Sequence, residues 1–258
     1  MILVVYSMSQ SFITKIISWL LSFVTLLGIL IFQKPLIAAG LLSVWIMYQA
    51  YIAIMYRSRI YEILTQLFTM FSFLWLLVLV ESVFLRWFIV LVSIPIFFFL
   101  VWMNSEYTGR LVHIKEKPLR RMRMMIHVFN MYAGCIAFFA VDVYFPSIPA
   151  FALVIGAGVY GAIITLLIWK LYFKSSNITF IIPLVVVCMG VSECMWALRL
   201  TPFGYLAQGL LVVWLWYIVQ LLARFHLSTR GIVWKEQRTF LCTNAVLFGL
   251  VLYLIRWV

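Results

Sequence analysis

Phe71-Ser-Phe-Leu-Trp-Leu-Leu-Val-Leu-Val80 carries one hydroxyl and no charge along its length. A strand crossing a bilayer would alternate polar and apolar side chains over about ten residues, and this run does not alternate. A helix needs ~20 apolar residues to cross ~30 Å of hydrocarbon, and the stretch 62–80 supplies them. Backbone groups in lipid must hydrogen-bond within their own segment, so the run reads as a spanning helix.

Working outward, charged residues, prolines and polar clusters divide the chain into similar stretches near 12–32, 36–55, 62–80, 84–103, 124–143, 149–170, 178–198, 203–223 and 239–257. The expected fold is all-α, a polytopic membrane helical bundle of about nine transmembrane helices forming one integral membrane domain over 1–258. The tight junction Gln33-Lys34-Pro35 leaves room for a partly re-entrant second span, and hence for eight. A chain with 67% apolar and only 10% charged residues cannot be sorted into the inside and outside of a soluble globule. The first segment makes a poor signal peptide: Lys15 is the only nearby cation, and the apolar region beyond it is too long.

The positive charges collect in every second gap. With the N-terminus cytoplasmic, the inner side holds Lys15, Arg57, Arg59, Arg110, Lys115, Lys117, Arg120, Arg121, Arg123, Lys170, Lys174, Arg224, Arg230, Lys235 and Arg238. Only Lys34, Arg86, Arg199 and Arg256 fall outside. Cytoplasmic loops carry the excess of Lys and Arg, so an inner N-terminus and an outer C-terminus are expected. The same distribution accounts for the net charge of +12 without nucleic acid as a partner. Short spans and a steep charge bias point to a prokaryotic plasma membrane.

The longest non-membrane pieces are the basic loops 104–123 and 224–238. Lys115, Lys117, Arg120, Arg121 and Arg123, running into Met124-Met125-Ile126, form a basic-apolar surface for anionic lipids or an acidic partner. Each base near such a surface adds about 1 kcal/mol of attraction.

Of the seven acids, Glu62, Glu106, Glu116 and Glu236 stand among cytoplasmic bases as solvated partners. Glu81, Asp142 and Glu193 instead map to the outer ends of ascending helices, level with Arg86, Arg199 and, more loosely, Gln208. Together these six form the candidate binding group. Glu193 is its sharpest member, lying inside an apolar run with Gly190 at i−3 and Ala197 at i+4. Small residues mark close helix contact in membranes, so Glu193 is expected to point into the bundle. An intramembrane carboxylate is costly unless paired, neutralised or wetted, which makes it a functional-site candidate by default. The competing reading is that all three acids are helix-end residues paired with arginine.

Other motifs carry less. Gly156-Ala-Gly158-Val-Tyr-Gly161 matches GxGxxG, but inside a membrane helix, where Ala157 and Gly161 make a small-xxx-small packing step. Cys135, Cys188, Cys194 and Cys242 all lie in spans, with neither disulfide nor metal spacing. His113, His127 and His226 lack the i,i+4 companion of a metal site, so no metal or cofactor is expected. Pro95 and Pro183 introduce kinks. Trp19, Trp87, Trp102, Trp169, Trp234 and Trp257 sit where interface anchors would, whereas Trp214 and Trp216 in mid-span suggest a core stack or a partner face.

The first functional expectation is a non-catalytic integral subunit or scaffold of a larger membrane assembly, partnered by other membrane proteins. The alternatives are a small transporter or channel-like protein with an outer acidic site around Glu193, and an intramembrane enzyme acting on lipid. A transporter requires a water-filled cavity reaching Glu193. A scaffold requires Glu193 closed off by Arg199 or amides beside a broad apolar surface. An enzyme requires paired carboxylates beside a lipid-sized groove.

Overall fold

Runs of apolar residues without interior breaks become helices along the computed structural model, which describes residues 2–55, 60–106, 117–173, 178–227 and 234–254. Side chains are described within those ranges except at 2–12, 103–106, 117, 178 and 236. The helices are α1 (Ile2–Phe32), α2 (Pro35–Met55), α3 (Ile60–Leu79), α4 (Val83–Glu106), α5 (Lys117–Tyr144), α6 (Ala150–Tyr172), α7 (Ile181–Arg199), α8 (Tyr205–His226) and α9 (Trp234–Leu254). A single 3₁₀ turn, Ile178–Phe180, leads into α7. Among the described residues there are nine helices long and apolar enough to cross a membrane, which supports an integral membrane protein. The second is one uninterrupted helix of 21 residues. Its junction with α1 is short because Gln33 takes a positive φ of 48°. Pro35 then starts α2 at the position where a missing N–H costs nothing.

The chain divides into two compact units, Met1–His127 and Val128–Val258, with α5 running from the first into the second. In the first unit α1 packs on α2 and α4, and α3 packs on α4. Ser18, Ser22 and Thr25 recur at i, i+4 and i+7 on α1 and are all buried. Trp45 Nε1 donates to Ser22 Oγ at 2.9 Å, and Gln49 Nε2 to Ser18 Oγ at 3.1 Å. Polar side chains thus join α1 to α2, as expected where lipid provides no hydrophobic drive between helices.

In the second unit α6 packs most extensively on α7, and α7 also packs on α8. Gly158 allows that approach: a Cβ there would collide with Ser192 Oγ and lie 2.7 Å from the Cys188 carbonyl oxygen. Gly161 faces Val191 at 3.1 Å. Gly209 on α8 similarly meets the backbone nitrogen of Ile136 on α5 at 3.2 Å. The mid-span tryptophans serve the core: Trp216 is buried and donates to Thr165 Oγ1 at 2.8 Å, while Trp214 donates to Asn244 Oδ1 at 3.0 Å. That second bond ties α9 to α8, although no residue of the α9 span Gln237–Leu254 is buried. Trp169, expected as an interface anchor, is instead fully buried with its ring 5.8 Å from that of Phe180.

Gly158→Ala is expected to destabilise the protein by about 1–3 kcal/mol, since a backbone carbonyl must yield to the new methyl. Gly190→Ala meets nothing within 4 Å and should be neutral by comparison. Thermal unfolding of both variants in the same detergent measures the contrast, and equal losses would remove Gly158 as the contact point.

Candidate functional site

Three of the six candidate groups come together at one helix end of the second unit. Arg199 Nε donates to Asp142 Oδ2 at 2.6 Å, joining the end of α7 to the end of α5, with the Asp142 side chain 15% exposed. Gln208 on α8 donates through Nε2 to the carbonyls of Leu198 at 3.0 Å and Thr201 at 3.2 Å. It thereby joins the Thr201 N–H and hydroxyl on the Leu198 carbonyl and ties the start of α8 to the turn that follows α7. Asp142, Arg199 and Gln208 are thus brought to the same helix end, where they engage one another's elements. Glu81 and Arg86 belong to the other compact unit. Glu81 is exposed in the turn between α3 and α4, and Arg86 Nε donates to the Val80 carbonyl, closing the end of α3.

Glu193 is exposed, contrary to the expectation that it points inward. The reason is helical geometry. Val187, Val191 and Met195 form the buried face of α7. At about 100° per residue, Glu193 stands roughly 200° from both Val191 and Met195, on the opposite side. Gly190 and Ala197, which suggested close contact, lie on that outward side: Gly190 has nothing within 4 Å of a built Cβ, and Ala197 is exposed. The small residues that admit α7 belong to α6. Arg199, already engaged by Asp142, does not close Glu193 off. Among the described residues Glu193 has neither hydrogen bond nor ion pair.

The basic segment divides too. Lys115 lies outside the described residues, and Lys117 opens α5 with its side chain outside them. Arg121 is exposed, Arg120 half-buried, and Arg123 buried at 6% exposure. Arg123 lies within electrostatic reach of Glu62 on α3, itself 8% exposed. The sequence reading has Glu62 as a solvated partner of cytoplasmic bases and Arg123 as part of a basic-apolar surface, and the structure buries both. The signal that could have found them is periodicity: Glu62, Thr65, Gln66 and Thr69 recur at i, i+3, i+4 and i+7, the spacing of one buried helix face. His127, one turn beyond Arg123, is also buried, and neither Arg123 Nε nor His127 Nδ1 has a hydrogen-bond partner among the described residues. Among those residues, no three of His, Cys, Asp and Glu come together to hold a metal.

No protein-family model, no curated protein and no solved structure matches this chain. Its class, an all-helical protein whose long apolar helices suggest an integral membrane protein, therefore rests on its own residues.

Glu62 and Arg123 are buried opposite charges within electrostatic reach of each other. Removing one of two mutually compensating buried charges typically costs about 3–5 kcal/mol, whereas replacing both can be neutral. Glu62→Leu is accordingly expected to lower the unfolding midpoint sharply, and Glu62→Leu with Arg123→Met to recover most of the loss. Arg121→Gln should leave it unchanged. Additive effects of Glu62→Leu and Arg123→Met in a thermal melt would show the two groups to be independent.

Proposed function

We propose that the chain is a non-catalytic integral subunit of a larger membrane assembly, and that α7 receives a transmembrane helix of another protein around Glu193. The observation that carries this reading is an exposed carboxylate on an otherwise apolar helix face. Ile182, Val186, Met189 and Trp196 are all strongly exposed on α7, and Glu193 stands among them. An acid facing hydrocarbon is costly, up to about 2.5–3.5 kcal/mol at the centre of a helix on insertion scales and less nearer its end, where Glu193 stands. A neighbouring helix with a Lys, Arg or amide donor at that depth would remove the cost. Gly190 and Ala197 offer the low relief over which a second backbone can approach. The largely unburied α9 adds further apolar surface for the same purpose.

Glu193 in a water-filled vestibule would instead serve a transporter. The scaffold reading is favoured because Asp142 and Arg199 neutralise each other and α7 turns Glu193 away from its packed face. The proposed orientation places the N-terminus in the cytoplasm and the C-terminus outside, in a prokaryotic plasma membrane. Arg120 and Arg121 then meet anionic lipid headgroups on the inner side.

The assembly is tested by extracting the protein with its native lipids and quantifying co-purifying membrane proteins. A partner is expected whose recovery falls about tenfold in Glu193→Leu, the equivalent of ~1.4 kcal/mol, and less in Glu193→Gln, which keeps a hydrogen-bonding group. A wild-type chain recovered alone and monomeric would overturn the reading.

Orientation is tested in intact cells with single cysteines on a background whose native cysteines are alanine. An impermeant maleimide should label Pro202→Cys directly and Arg230→Cys only after lysis; the opposite pattern reverses the topology.

A further inference from the structure

Between α1 and α4 runs a groove of about 390 Å³ lined by Lys15, Ile16, Trp19, Phe98, Val101 and Trp102. It lies wholly within the first compact unit. Its wall is an aromatic ladder. The Trp19 ring meets Phe98 edge-on at 5.8 Å, and Phe98 stacks on Trp102 at 5.8 Å. Trp19 Nε1 is occupied by the Ile94 carbonyl at 3.0 Å, so it fixes the wall and offers no donor to a ligand. The one charged group on the lining is Lys15, whose Nζ stands 5.4 Å above the Trp102 ring centroid. Lys15 has neither ion pair nor hydrogen bond among the described residues.

Depth gives the groove its meaning. In the sequence, Ser7, Ser9, Gln10 and Ser11 precede Lys15, and Asn104-Ser105-Glu106 follows Trp102, so Lys15 and Trp102, which touch, share the level where an apolar stretch gives way to polar residues. Lysine and tryptophan are the side chains suited to that boundary. Trp19 and Phe98 lie one turn deeper on their helices, inside the apolar stretch. The groove thus has a cationic mouth at the interface and an apolar, aromatic interior below it. A site of a few hundred Å³ with mainly apolar walls and one well-placed polar group is the usual form of a small-ligand pocket.

We propose that this groove binds one anionic phospholipid, its phosphate headgroup against the Lys15 ammonium and an acyl chain along Ile16, Trp19, Phe98 and Val101. The polarity of the site selects this occupant. A free phosphate would leave the apolar walls uncovered, and a zwitterionic lipid would bring a second cation towards Lys15. The site is independent of the α7 face and of the assembly proposed for it.

Native mass spectrometry of the full chain, after exchange into mixed phosphatidylglycerol and phosphatidylcholine, tests the assignment by counting retained lipids. The wild type is expected to keep one phosphatidylglycerol in preference to phosphatidylcholine. Lys15→Gln should lower that preference about fivefold, which corresponds to ~1 kcal/mol for one interfacial cation, and Lys15→Arg should preserve it. Val101→Trp, which narrows the groove, should reduce retention of both lipids. If that variant fails to fold, the Lys15 pair alone decides. Unchanged preference in Lys15→Gln would overturn the proposal. So would a loss matched by Arg121→Gln, which would show diffuse surface attraction, or displacement of the lipid by inorganic phosphate, which would show that the acyl chain contributes nothing.

Discussion

A polar group facing hydrocarbon must find a partner, and the rest of this architecture depends on that constraint. It makes each crossing segment a helix, because only a helix bonds its own backbone. It then acts on side chains. Ser18 and Ser22 meet Gln49 and Trp45, Thr165 meets Trp216, and Asn244 meets Trp214. With apolar surface everywhere, these directed bonds and the close approaches at glycine give neighbouring helices a register. Buried Glu62 and Arg123, within electrostatic reach of each other, extend the same rule to charge.

The constraint also explains why the two acids expected near the end of the second unit's helices fare differently. Asp142 is at the last turn of α5, close enough to the end of α7 for a 2.6 Å contact with Arg199. Glu193 is six residues before Arg199, roughly 9 Å along the axis at 1.5 Å per residue, and on the face away from the packed helices. Among the described residues one acid is satisfied and the other is not, and that asymmetry is the basis for the proposal that α7 has an external partner. The Lys15 groove is the complementary case, a cation at a boundary where an anionic headgroup can meet it without leaving the lipid.

Much of the fold was legible in the sequence. The runs around Phe71–Val80 and their counterparts become the helices, because length and continuous apolarity suffice to specify a spanning helix. The Gln33-Lys34-Pro35 junction was legible as a tight turn. The sites were less so. In a soluble helix, polar and apolar faces tell which side is buried. Here both faces of α7 are apolar, so nothing in the run Val185–Leu200 says where Glu193 points. Gly190 and Ala197 suggested the wrong face, since the close contact is made by Gly158 and Gly161 from α6.

By itself, the sequence determined that this is a chain of helices long enough to span a membrane, and roughly where each lies, although α1 begins ten residues and α5 seven residues before the expected spans. Both follow from the free energy of placing apolar side chains and backbone in hydrocarbon, a local property of each segment. Only the tertiary structure decided which charges meet. Arg123 is in the core within electrostatic reach of Glu62 instead of on a basic surface, Asp142 engages Arg199, and Glu193 faces outward. Those outcomes depend on helix rotation, which is set by a few interhelical hydrogen bonds and by glycines where backbones touch, and composition carries no record of it.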